Sequence, residues 1–185
     1  MTFSADLYQQ ALAFAADAHG EQRIPGSRQP YIVHTVSVAA EILAVADKDT
    51  FDVELAMVCA LLHDTLEDTQ ASPQAVAERF GERVLRGVQA LSKDERLPKE
   101  QRMADSLARI LREPREIGMV KLADRIVNLL EPPAYWSRSK RAGYQEEARQ
   151  IHAALAGCSA PLAARLAERI ESYSAFLSTA ATSTT

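Results

Sequence analysis

The most constraining feature of this chain is residues 55–62, LAMVCALL. Ala, Leu and Met favour a helix, and as a helix the segment has no polar side. A helix that is apolar all round belongs in a core, so other elements must surround it. Directly after it come His63, Asp64, Glu67 and Asp68, in HDTLED. Buried charge is expensive without a counter-ion or hydrogen-bond partners. The end of this helix is therefore either an ordinary solvated terminus or a site.

The surrounding elements read as helices too. Alternating runs of β-branched residues are missing, and Ala, Leu, Glu and Arg dominate. A first helix starts near Ser4 with Leu7, Ala11, Phe14, Ala15 and Ala18 on one stripe, and stops at Gly20. Residues 20–30, GEQRIPGSRQP, form a loop. A second helix follows Pro30, with Ile32, Val36, Ala39 and Leu43 inward, and the apolar third spans about 53–65. Ser72-Pro73 is an N-cap followed by Pro at the first helical position, and Gly81 closes that short helix. Further helices are expected at about 82–91, 100–111, 115–130, 138–156 and 161–178. This predicts an all-α, single-domain bundle of about eight to ten helices over 1–178, with a small, polar tail at 179–185.

Bulk properties narrow the function classes. The length of 185 residues is enough for one domain with a real core. A net charge of -4 disfavours DNA or RNA as a partner, although sixteen of the 21 basic residues are Arg, which suits phosphate. No apolar run is long enough for a membrane, and MTFSADLYQQ has no signal-peptide pattern. Cys59 and Cys158 form no motif, so a reducing cytoplasm is expected. Nothing in the sequence reports the oligomeric state.

The charges after the central helix can converge. If the helix continues, His63, Asp64, Glu67 and Asp68 span an arc of about 140°. Asp124, in MVKLADRIVNLLEPP, borders an inward stripe of Val120, Ala123, Val127 and Leu130, with Asn128 one turn on. Taken alone, Asp124 reads equally as an ion-pair partner of Lys121 or Arg125, and His34, in PYIVHTVSVAAEIL, as a core or capping histidine. Taken together, His34, His63, Asp64 and Asp124 offer two imidazoles and two carboxylates from three helices. That set suits a divalent ion such as manganese, with iron or zinc as alternatives.

The order H…HD…D resembles the signature of the HD metal-dependent phosphohydrolases. With RIPGSRQPYIVH, HDTLED and KLADRIVNL, the chain is more narrowly similar to the hydrolase domain of the RelA/SpoT family in its stand-alone form, over about residues 5–155. The resemblance implies that His34, His63, Asp64 and Asp124 hold Mn2+ and that Glu67 and Asp68 activate water and handle protons. It implies substrate contacts from Arg23 to a guanine base, Asn128 near the ribose, and Lys99, Lys140 and Tyr144 at the phosphates. The implied reaction removes pyrophosphate from the 3′ position of guanosine tetra- or pentaphosphate, giving GDP or GTP, with no synthetic activity. Ile24 departs from the family's paired basic residues, and Arg28 is a candidate substitute. Two other readings remain open: hydrolysis of another phosphorylated nucleotide, or a non-catalytic nucleotide sensor. A sensor would be expected to lose ligands or the acidic pair, and all six residues are present. Trp136 reads as a packing anchor after the EPP turn.

Overall fold

A computed structural model describes residues 3–178; the predicted tail at 179–185 lies outside the described residues. Its helices are α1 (Ala5–His19), α2 (Ile32–Leu43), α3 (Val53–Leu62), α4 (Thr65–Asp68), α5 (Pro73–Phe80), α6 (Glu82–Leu91), α7 (Lys99–Ile110), α8 (Arg115–Asn128), α9 (Arg138–Leu155), α10 (Ala160–Tyr173) and α11 (Ala175–Ser178), with a 3-10 turn at Ala156–Cys158. Nine of these have eight residues or more. Among the described residues there is no strand, only an isolated antiparallel bridge between Arg23 and Pro30. Among the described residues, no helix is long and apolar enough to cross a membrane.

The apolar segment is the centre of the molecule. Every residue of α3 except Glu54 is buried, and α1, α2, α6 and α8 pack around it. Burying each of Leu55, Leu61 and Leu62 contributes about 1.5–3 kcal/mol relative to exposure. Helix α8 is a second interior helix, buried continuously over 116–126, with α9 and α10 covering its other side. Side-chain caps set several starts: Ser4, Asp52, Ser72 and Ser137 accept from the backbone N–H groups of Leu7, Leu55, Ala75 and Lys140.

Three expectations need correction. Helix α3 ends at Leu62 rather than near 65, because side chains take its last carbonyls: His63 Nδ1 lies 2.8 Å from Ala60 O, and Thr65 Oγ1 donates to Leu62 O at 2.7 Å. Helix α2 turns His34, Thr35, Val38, Ala39 and Ile42 inward, while Leu43 is 47% exposed; with apolar residues on several sides, its spacing does not define one face. Leu130 is 50% exposed because α8 stops at Asn128, and Leu129 is buried instead.

The loop at 20–30 is fixed at both ends. Tyr31 N–H donates to Gln22 O at 2.8 Å, and Ile24 N–H to Gln29 O at 3.0 Å. Gly26, at φ 78°, lies so close to Pro133 that a Cβ would sit 2.9 Å from the Pro133 Cβ. The loop therefore packs against the segment that leads to Trp136 and α9.

Candidate metal centre

Three buried donors converge from three elements. His34 comes from α2, His63 from the residue after α3, and Asp124 from α8; one ligand atom of each lies within 4.8 Å of the others. His34 Nε2 is 3.4 Å and His63 Nε2 3.7 Å from Asp124 Oδ1, and the two imidazole nitrogens are 3.2 Å apart. Asp64 stands at the edge of this trio, with Oδ2 at 2.8 Å from His63 Nε2 and 3.6 Å from His34 Nε2.

The donor chemistry fits a divalent cation. Ala60 O can only accept, so His63 Nδ1 carries a proton. In the neutral ring, Nε2 then presents its lone pair toward a second imidazole nitrogen and a carboxylate. Such an arrangement needs a cation in the middle, a proton or a metal. Without metal, protons take that role. Burial pulls the His63 imidazolium down, but the Asp64 and Asp124 carboxylates outweigh it and raise its pKa to about 10. Burial alone would raise the Asp124 pKa. Lys121 and then the two imidazoles overcome that and hold it well below the usual range.

Asp124 and Asp64 are themselves held by residues outside the donor set. Lys121 Nζ lies 3.0 Å from Asp124 Oδ2, and Asn128 Nδ2 donates to Asp124 Oδ1. Lys121 is thus the ion-pair partner anticipated for Asp124, without removing Oδ1 from the donor trio. Arg125 instead lies over the Tyr144 ring at 4.3 Å and pairs with Glu147 at 3.5 Å. Tyr31 donates its phenol to Asp64 Oδ2 at 2.5 Å. That phenol stays protonated, because burial and then Asp64 push its pKa far up.

The acidic pair sits on α4, whose Asp68 N–H bonds Asp64 O at 2.8 Å. Glu67 accepts the Lys93 N–H at 2.8 Å and faces Lys93 Nζ at 3.4 Å. Asp68 stands at the solvent edge, and its carboxyl is pushed up by partial desolvation and then by Asp64 and Glu67.

The expected substrate contacts are more dispersed. Asn128 alone among them hydrogen-bonds a residue of the donor trio. The Arg23 guanidinium donates to Arg28 O within its loop. Lys99 is exposed at the start of α7. Lys140 Nζ lies 4.3 Å above the Trp136 ring, which meets Tyr144 edge-on at 5.0 Å, so Trp136 is packed as well as capped by a cation. Tyr31 and Lys93 are the residues that sequence reasoning missed. Tyr31 lies one helical turn before His34, a usable signal, but its bond spans 33 positions.

Comparisons with known proteins bear on the family and the fold. The HD domain family model matches residues 11–159. A guanosine-3′,5′-bis(diphosphate) 3′-pyrophosphohydrolase of Aquifex aeolicus (strain VF5) is 33% identical over 159 residues, which are 82% of this chain and 21% of that protein. The protein of the same activity named MESH1 in Danio rerio is 35% identical over 162 residues, covering 85% of this chain and 88% of that one. A solved structure described as a metazoan ortholog of SpoT that hydrolyzes ppGpp superposes with a TM-score of 0.80 at 29% identity, over 93% of this chain and 98% of that one. A Listeria monocytogenes EGD-e protein shares the fold at a TM-score of 0.63 and 20% identity, over 80% of this chain and 99% of that one.

Proposed function

This chain belongs to the HD domain family, and on that footing we propose that it is a metal-dependent 3′-pyrophosphohydrolase of guanosine tetra- and pentaphosphate. The observation that carries the reading is the convergence of His34, His63 and Asp124 within 4.8 Å, beside Asp64 and the acidic pair of α4. The relatives named for this activity support the choice of substrate.

His34, His63, Asp64 and Asp124 would hold the ion, and their mixture of imidazole and carboxylate suits Mn2+. When bound, the ion supplies Lewis acidity toward phosphoryl oxygen. Water attacks the phosphorus joined to O3′, the P–O3′ bond breaks, and pyrophosphate leaves with the water oxygen. Glu67 or Asp68 takes a proton from the attacking water, and a proton returns to O3′ of the GDP or GTP formed. The raised carboxyl of Asp68 suits both steps. Lys99, Lys140 and Tyr144 face the phosphates, Arg23 the guanine base and Asn128 the ribose. Charge developing on the phosphoryl oxygens is where the basic side chains contribute most. The free thiols of Cys59 and Cys158 support a reducing cytoplasm.

A second reading, hydrolysis of another phosphorylated nucleotide, is favoured by Ile24, which places an apolar side chain beside Arg23 in the recognition loop. The test is turnover. Purified protein with Mn2+ and guanosine tetraphosphate should release GDP and pyrophosphate. Inertness toward that substrate, with fast turnover of another nucleotide, would select the second reading.

A further inference from the structure

We infer that Tyr31 is a positioning residue for the metal centre, its phenol O–H holding the Asp64 carboxylate against the two imidazoles. The inference rests on the metal-dependent reading above and adds a residue to it.

Two of the other donors, His63 and Asp124, are restrained from within or near their own helices. His63 is held by Ala60 O, and Asp124 by Lys121 and Asn128. Asp64 has no such support. It follows the end of α3 and caps α4, where its side chain makes no capping bond. Its side chain is 20% exposed, against 6% for Asp124. A carboxylate so placed can turn toward solvent unless something outside its segment restrains it.

Tyr31 supplies that restraint through the 2.5 Å bond to Oδ2. The His63 Nε2 contact to the same oxygen joins two members of the donor set, so it does not anchor Asp64 to anything outside them. Tyr31 is itself immobilised. Its ring lies between those of His19, at 4.6 Å, and His34, at 5.2 Å, and its N–H bonds Gln22 O. The bond therefore ties the start of α2, and the loop at 20–30, to the turn that carries Asp64. Hydrogen-bond partners of metal ligands typically change affinity by about 10–100-fold when removed.

Two substitutions separate the hydroxyl from the ring. Tyr31→Phe keeps the ring between His19 and His34 and removes only the O–H; Tyr31→Leu removes both. Metal-stripped proteins are titrated calorimetrically with Mn2+ alone, and their melting temperatures are recorded. We expect Tyr31→Phe to bind Mn2+ at least about tenfold more weakly than the parent, with its metal-free melting temperature unchanged. Tyr31→Leu should show the same loss of affinity. Parent-like affinity in Tyr31→Phe overturns the inference, also where Tyr31→Leu alone is weakened, since packing would then be the ring's whole role. If the parent itself binds no divalent metal, the functional reading fails together with it. Tight binding in the parent and in Tyr31→Phe defeats this inference alone.

Discussion

Two acids on different helices, Asp124 on α8 and Glu67 on α4, carry different work. Asp124 is buried between a lysine and two imidazoles, so Oδ2 pairs with Lys121 while Oδ1 is placed to share a cation with the imidazoles. Glu67 is fixed by Lys93 and touches no residue of the donor trio among the bonds described. Asp124→Ala should therefore purify without bound divalent metal. Glu67→Ala should retain metal and lose about 10²–10⁴ in kcat. Metal content and turnover on the same preparations separate the two roles, and a fully active Glu67→Ala would remove Glu67 from the chemistry. The centre also predicts a pH dependence. His63 rises on folding to about 10, so in metal-free protein it stabilises the fold fully below its unfolded value, about 6.5, and that contribution is lost as pH rises through about 10. Asp124 falls on folding, so its contribution is present above the usual carboxylate range and is lost only as pH drops through its low folded value. A metal must displace the His63 proton. Mn2+ affinity should then rise about tenfold per pH unit between about pH 7 and 9 for one proton released. Titrations at two pH values check this, and pH-independent affinity would mean that no proton is displaced.

At the level of elements, the starts and stops legible in the sequence are those written in local chemistry. Ser72-Pro73 and Gly81 mark α5 because a hydroxyl cap, a fixed φ and a φ of 84° need those residue types. The apolar α3 identifies itself as the centre for the same reason: no residue on it can face water at low cost. The break after Leu62 was not legible, since 53–65 has no helix breaker; hydrogen bonds from His63 and Thr65 decide it. The donor set could be gathered from residue types, whereas the partners Tyr31 and Lys93 depend on distant packing. Helix α8 illustrates how packing then places a donor. A Cβ at Gly118 would lie 2.3 Å from Cys158 Sγ, so α8 can approach the 3-10 turn at Ala156–Cys158 only with glycine there. Gly118→Ala should cost about 1–3 kcal/mol through overpacking. Urea unfolding measures this, and Cys158→Ala in the same chain should recover most of the loss. An undiminished midpoint in Gly118→Ala would show that the turn yields freely.

For the whole molecule, the centre joins parts that the chain itself leaves far apart. His34 belongs to α2, His63 to the end of α3 and Asp124 to α8, three helices that pack on one another in the core. The donors bring like charge and facing lone pairs into a buried space, which metal-free protein must offset with protons. A divalent ion held there would replace those protons and join all three elements at once, while unfolded chain presents no such convergence. Binding to the folded state alone stabilises by RT ln(1 + [L]/Kd), about 2.7 kcal/mol at a hundredfold excess over Kd. A domain of 150–250 residues shifts by about 2–4 °C per kcal/mol, so Mn2+ should raise the melting temperature by about 5–10 °C over protein stripped with EDTA. Scanning calorimetry on stripped and reloaded protein reads the shift. Asp124→Ala, melted under the same two conditions, should show almost none of it, because the remaining imidazoles lack the buried carboxylate that completes the trio. Equal melting temperatures for stripped and reloaded parent protein would mean that the three helices are held by packing alone, and that the centre adds nothing to the stability of the fold.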